Sequence, residues 1–281
     1  MPFAGRPLAS ALVVYAASCV AIMVLWAAAA LVPFLAANLG AFVTLIFLYF
    51  PYAAVRRRGE DLGDYGFSLR PLGRGLAFAG GVLVVIFPLF LVGFVAYYRT
   101  VCAPGQTETL AALAPPGLCH RFLGWAGLAH PRVGIDFWEQ ALTQVVVVAV
   151  PEELFFRGYL LARLEEAFPP RRRFLGGGVG LGLVLAAALF AVAHVLVDFD
   201  PRRLAVFFPG LLFGWMRSAT GSILAGSVVH AASNLYIDAL HRTFFRWCAR
   251  EDNHERSRPE TTFCAFMAFP AWGARGGGGL R

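Results

Sequence analysis

Apolar and polar residues along this chain alternate in blocks rather than in stripes. Charge-free runs extend from Leu8 to Leu31, from Ala41 to Val55 and from Gly75 to Tyr98. At about 1.5 Å of helical rise per residue the first would reach roughly 36 Å, enough to cross the hydrocarbon of a bilayer with some tilt. Further apolar stretches run from Phe137 to Arg163, Gly176 to Val197, Leu204 to Met216 and Ser218 to Ile237. The pattern predicts an all-α polytopic transmembrane helix bundle of about seven spans. Leu204–Met216 is short and interrupted by Pro209-Gly210, so it could re-enter rather than cross. A signal peptide competes for the first run, but no polar region with a small-residue cleavage site follows it.

The polar breaks set an orientation. Arg56, Arg57, Arg58, Arg70 and Arg74 crowd the loop after the second run, which marks that loop, and with it Arg6, as cytoplasmic. Residues Arg99 to Asp136 then form a long outer loop rich in Pro and Gly. With seven spans the tail after Asp238 also lies outside. Cys102, Cys119, Cys248 and Cys264 would share the oxidising side of a bacterial inner membrane, suggesting the bridges Cys102–Cys119 and Cys248–Cys264, with Cys19 in lipid. Three units follow: amino-terminal helices plus outer loop (1–136), a four-helix core (137–240) and a polar tail (241–281).

Composition agrees with the membrane. Of 281 residues 58% are hydrophobic and only 15% charged, with a mean hydropathy of +0.65, too apolar for an ordinary soluble domain. All 24 basic residues are Arg. They cluster between apolar runs, so the net charge of +7 reflects the positive-inside pattern and no nucleic-acid partner is expected.

Against this background a few polar residues stand out. Glu152, Glu153 and Arg157 follow an apolar stretch, where each ionisable group costs roughly 2.5–3.5 kcal/mol on insertion scales. Glu153 and Arg157 are i,i+4 neighbours able to neutralise each other, which leaves Glu152 needing a proton or a distant partner. His194 and His230 lie on two later apolar segments, with Asn234 one turn beyond His230 on the same face. A lone buried His usually serves a structural hydrogen bond. Three segments each contributing such groups point instead to one polar cavity.

The ordered set Glu-Glu-x-x-x-Arg, Phe190-x-x-x-His194 and His230-x-x-x-Asn234 resembles the CAAX protease and bacteriocin-processing family of intramembrane endopeptidases, over roughly Phe137 to Ile237. The resemblance implies metal-free, glutamic-type hydrolysis of a protein or peptide substrate at the membrane, with residues 137–240 as the catalytic core. Glu152 would activate water with help from His194. His230 and Asn234 would stabilise the oxyanion, and Glu153 with Arg157 would support them.

Three other readings remain open from the residues. One Glu and two His are also a common zinc-ligand set, although no HExxH is present. A membrane scaffold or immunity protein could use the same cavity for binding. A proton-coupled transporter would be expected to show inverted repeats, and none is visible.

Overall fold

The computed structural model describes residues 6–68, 72–115, 117–129 and 137–246. It is an all-α bundle. The main helices are α1 (Pro7–Ala29), α2 (Leu39–Arg58), α3 (Leu72–Val101), α4 (137–167), α5 (Leu181–Asp198), α6 (Phe207–Thr220) and α7 (Leu224–Phe244). Three of them, α1, α2 and α3, are long and apolar enough to cross a membrane.

The chain passes back and forth between two ends of the bundle. At one end Ser10 at the start of α1 meets Tyr159 late in α4, at 2.9 Å between hydroxyls. The loop after α2 docks there too: Tyr65 stacks on Tyr159, and the Tyr65 carbonyl accepts from Arg217 near the end of α6. Gly66 (φ +84°) makes this possible, because a Cβ would lie 2.4 Å from the Arg217 guanidinium. At the opposite end the outer loop is tied to the end of α7. Leu123 N donates to Phe244 O at 2.8 Å and Arg246 N to Arg121 O at 2.9 Å. A Cys102–Cys119 disulfide joins the same loop to the end of α3, as anticipated. Cys248 and Cys264 lie outside the described residues.

Several elements differ from the sequence expectation. Residues 172–179, partly assigned to the fifth span, form a hairpin instead, β1 (Arg172–Phe174) against β2 (Gly177–Val179). The glycine run there lacks side chains to sustain a helix, and Gly177 packs where a Cβ would meet Trp215. Helix α6 runs unbroken through Pro209-Gly210. Pro209 falls in its first turn, where a missing N–H costs no bond. A 3₁₀ turn, Pro201–Val206, precedes it, capped by Asp200 accepting from Arg202 N at 2.9 Å. Helix α7 extends to Phe244, beyond the predicted end at Ile237, supported by an Asp238–Arg242 pair at i,i+4.

The most unusual element is α4. It contains two stretches of wide π turns, Gln144–Ala149 and Leu154–Leu160, on either side of an α-helical turn, Val150–Glu153. Such turns are rare, and where they occur they are frequently at functional sites. From Glu153 to Leu161 every α4 side chain is buried, so this part of the helix sits at the centre of the bundle.

Candidate active site

Four helices, α4 to α7, build the site. Glu153 is fully buried and carries most of its architecture. One oxygen, Oε1, lies 3.0 Å from an Arg157 terminal nitrogen and accepts from His230 Nδ1 at 3.0 Å. The other, Oε2, faces Gly226 of α7 so closely that a Cβ there would stand 2.9 Å away. The small residues at the start of α7 are what let the carboxylate reach the helix.

Arg157, 3% exposed, has its guanidinium 3.9 Å above the Phe190 ring and 5.2 Å from that of Phe213. Contacts of this kind contribute about 2 kcal/mol when desolvated. Phe213 in turn stacks on the His230 imidazole, with centroids 5.1 Å apart and planes 20° from parallel. The Phe of the Phe-x-x-x-His pattern therefore holds a cation on one side and, through a 4.4 Å edge contact, His194 on the other.

Glu152 remains partly open, its side chain 16% exposed. Its Oε2 lies 4.0 Å from His194 Nε2 and 3.8 Å from His230 Nε2, beyond direct hydrogen-bond length. Both rings present the same nitrogen to it for the same reason. His194 Nδ1 is 2.9 Å from the Phe190 carbonyl, which can only accept, and His230 Nδ1 faces the Glu153 carboxylate. Each Nδ1 therefore carries the hydrogen, and in a neutral ring Nε2 is a bare lone pair. Three acceptors, Glu152 Oε2 and two Nε2 atoms, thus point at one another.

The structure sets the sequence-predicted residues on α4, α5 and α7. Glu152, Glu153, Arg157, His194 and His230 are joined by the contacts above. Asn234 shares a face with His230 as predicted, but its Nδ2 donates to Gln144 Oε1 at 2.8 Å. Two pairings escaped the sequence. Helical spacing pairs Glu153 with Arg157, and the structure adds a direct bond from His230 to the same carboxylate. Gln144 was not singled out, although an amide at the edge of an apolar stretch was the available signal. Helical spacing describes one helix at a time and says nothing about either cross-helix bond.

Among the described residues, no group of three His, Cys, Asp or Glu side chains is spaced to hold a metal ion. The Glu152–imidazole separations exceed the roughly 3.3 Å between neighbouring ligands on a tetrahedral zinc with about 2.0–2.1 Å bonds.

Comparison with known families matches residues 134–236 to the model described as Rce1-like, type II CAAX prenyl endopeptidase Rce1-like. The matched stretch contains all six predicted site residues and Gln144. No curated protein and no solved structure matches the chain.

Proposed function

We propose, from the premise that residues 134–236 form an Rce1-like domain of the CAAX protease and bacteriocin-processing family, that this chain is an integral-membrane endopeptidase of glutamic type. The observation that carries this reading is the convergence of Glu152 Oε2 with the Nε2 atoms of His194 and His230 at 3.8–4.0 Å.

Three facing acceptors need a proton between them. With Glu152, Glu153 and Arg157 ionised, one proton on the imidazoles makes the cluster neutral, the favoured condition at low dielectric. His230 is the better holder, since Glu153 already accepts from its Nδ1 and balances the charge. Its Nε2–H then becomes a donor.

In the reaction, Glu152 takes a proton from water as the water oxygen bonds to the scissile carbonyl carbon. The carbonyl π pair moves onto oxygen, where His230 Nε2–H and the Asn234 amide receive it. Collapse breaks the C–N bond, and the proton held by Glu152, relayed by His194, goes to the leaving nitrogen. Glu153 and Arg157 position His230. The substrate is a protein or peptide presented at the membrane, and the family description suggests a prenylated carboxy-terminal segment as the first class to try.

A zinc reading draws on the same convergence, because two imidazole lone pairs and a carboxylate are a hydrolase ligand set. The wide triangle speaks for the metal-free form.

Purified protein in detergent, given a farnesylated, internally quenched peptide ending in Cys and three further residues and its unprenylated twin, tests both. Cleavage of the first that falls at least a hundredfold in Glu152→Gln and survives phenanthroline is expected. A fully active Glu152→Gln variant, or cleavage of neither peptide, overturns the peptidase reading. Loss of activity to phenanthroline, restored by zinc, replaces it with the zinc form.

A further inference from the structure

Gln144 lies on α4 two turns before Glu152, in the first of the π stretches, and its Oε1 accepts from Asn234 Nδ2 at 2.8 Å. Both side chains are partly exposed, so the pair does not seal a core. Gln144 stands where the polar start of the helix, with Glu139, Gln140 and Thr143, gives way to the apolar run from Val145, so it is the last polar group on α4 before Glu152. We infer that Gln144 is a positioning residue which locks the orientation of the Asn234 amide. This rests on the peptidase reading above.

An asparagine amide has a donor side and an acceptor side of nearly equal shape. Only the donor side helps a developing oxyanion; the acceptor side repels it. The backbone of α7 does not choose between the two, because rotation by 180° about the last side-chain bond exchanges them. Gln144 does choose, as long as its own amide, which has the same two sides, keeps Oε1 turned to Asn234 as it is here. It accepts one Nδ2 hydrogen and leaves the second for the substrate oxygen. A carboxylate in its place would also accept, but would set a negative charge beside the oxyanion. A neutral amide is the side chain that orients without repelling.

A purely structural bridge between α4 and α7 would make the same contact, so the test must separate the two. With the farnesylated quenched peptide, Gln144→Leu is expected to lower kcat by about tenfold while KM stays within about twofold. Asn234→Ala is expected to lower kcat about a hundredfold. The double variant Gln144→Leu/Asn234→Ala should be no slower than Asn234→Ala alone, because Gln144 then has nothing left to orient. Each variant is first required to match wild type in size-exclusion elution and thermal melting. Additive losses in the double variant, or an unchanged kcat in Gln144→Leu, overturn the inference while leaving Glu152 as the base. A wild-type protein that cleaves neither peptide overturns the reading beneath it and the inference with it.

Discussion

Glu152 and Glu153 are neighbours in sequence but do opposite work in the fold. Glu153 is enclosed by Arg157, His230 and Gly226 and has no access to solvent. Glu152 is partly exposed, with its Oε2 buried beside two imidazoles and without a hydrogen-bond partner. The two should therefore fail differently when altered. Glu153→Gln leaves Arg157 as an uncompensated buried charge, at about 3–5 kcal/mol, and should appear as low yield and a depressed melting temperature in detergent. Glu152→Gln should melt like wild type and lose turnover only. His194→Ala should resemble Glu152→Gln, since its ring is anchored to its own helix through the Phe190 carbonyl. Thermal melting beside peptide turnover for the three variants checks the division.

At the scale of elements, the approach of α4 to α7 depends on the absence of a side chain. Gly226→Val would drive a methyl group into Glu153 Oε2 and is expected to destabilise by about 1–3 kcal/mol and to abolish turnover. Gly80→Val, on α3 where a Cβ meets open space, is the matched control and should be silent. A second element responds to acid. Hydrogen bonds from Arg202 hold the Asp200 carboxyl below the usual range, and Asp200 caps the turn that leads into α6. A lowered folded-state pKa stabilises above the unfolded value and is lost as pH falls through the folded one. The cap is thus intact at neutral pH and released only in acid below the ordinary carboxylate range. Asp200→Asn should remove that acid dependence, as hydrogen exchange of the 201–206 amides would show.

What the sequence displayed and what it hid follow from the same physics. Apolar blocks must be helical in a bilayer, so the helix positions were readable from Leu8 to Ile237. The i,i+4 spacing put Arg157 beside Glu153, and His230 and Asn234 on one face. Hidden were the hairpin 172–179, the π stretches of α4, and the cross-helix bonds from His230 to Glu153 and from Asn234 to Gln144. Each of these depends on which side chains meet across the bundle, and periodicity within one helix carries no such information.

For the whole molecule, the two ends are fastened in different ways. One is held by contacts around Tyr65, Tyr159 and Arg217 and a backbone bond from Ile223 to Gly66; the other carries the Cys102–Cys119 bridge and the pairing of residues 121–123 with 244–246. Because α7 ends beside the bridged loop, a reporter fused after Arg246 is expected to lie on the same side of the membrane as Cys102. Alkaline phosphatase and fluorescent-protein fusions should report that side as external. Opening the bridge, which closes a loop with a sequence separation of 17, is expected to cost about 3 kcal/mol. Melting with and without reductant measures it, and a Cys102→Ser/Cys119→Ser variant should melt at the reduced value whether or not reductant is added.

The π stretch Gln144–Ala149 also sets what α4 can tolerate in length. A wide turn is what a helix looks like when it has absorbed one surplus residue without moving its ends. Removing a single residue from within 145–148 should therefore restore ordinary winding with Gln144 and Glu152 kept near their places, whereas the same deletion in a regular α turn would rotate everything upstream by about 100°. Gln144 would still face Asn234 across the bundle. A chain shortened in this way should keep both its turnover and its sensitivity to Gln144→Leu, as peptide cleavage would show, while one shortened within the regular turn Val150–Glu153 should lose both.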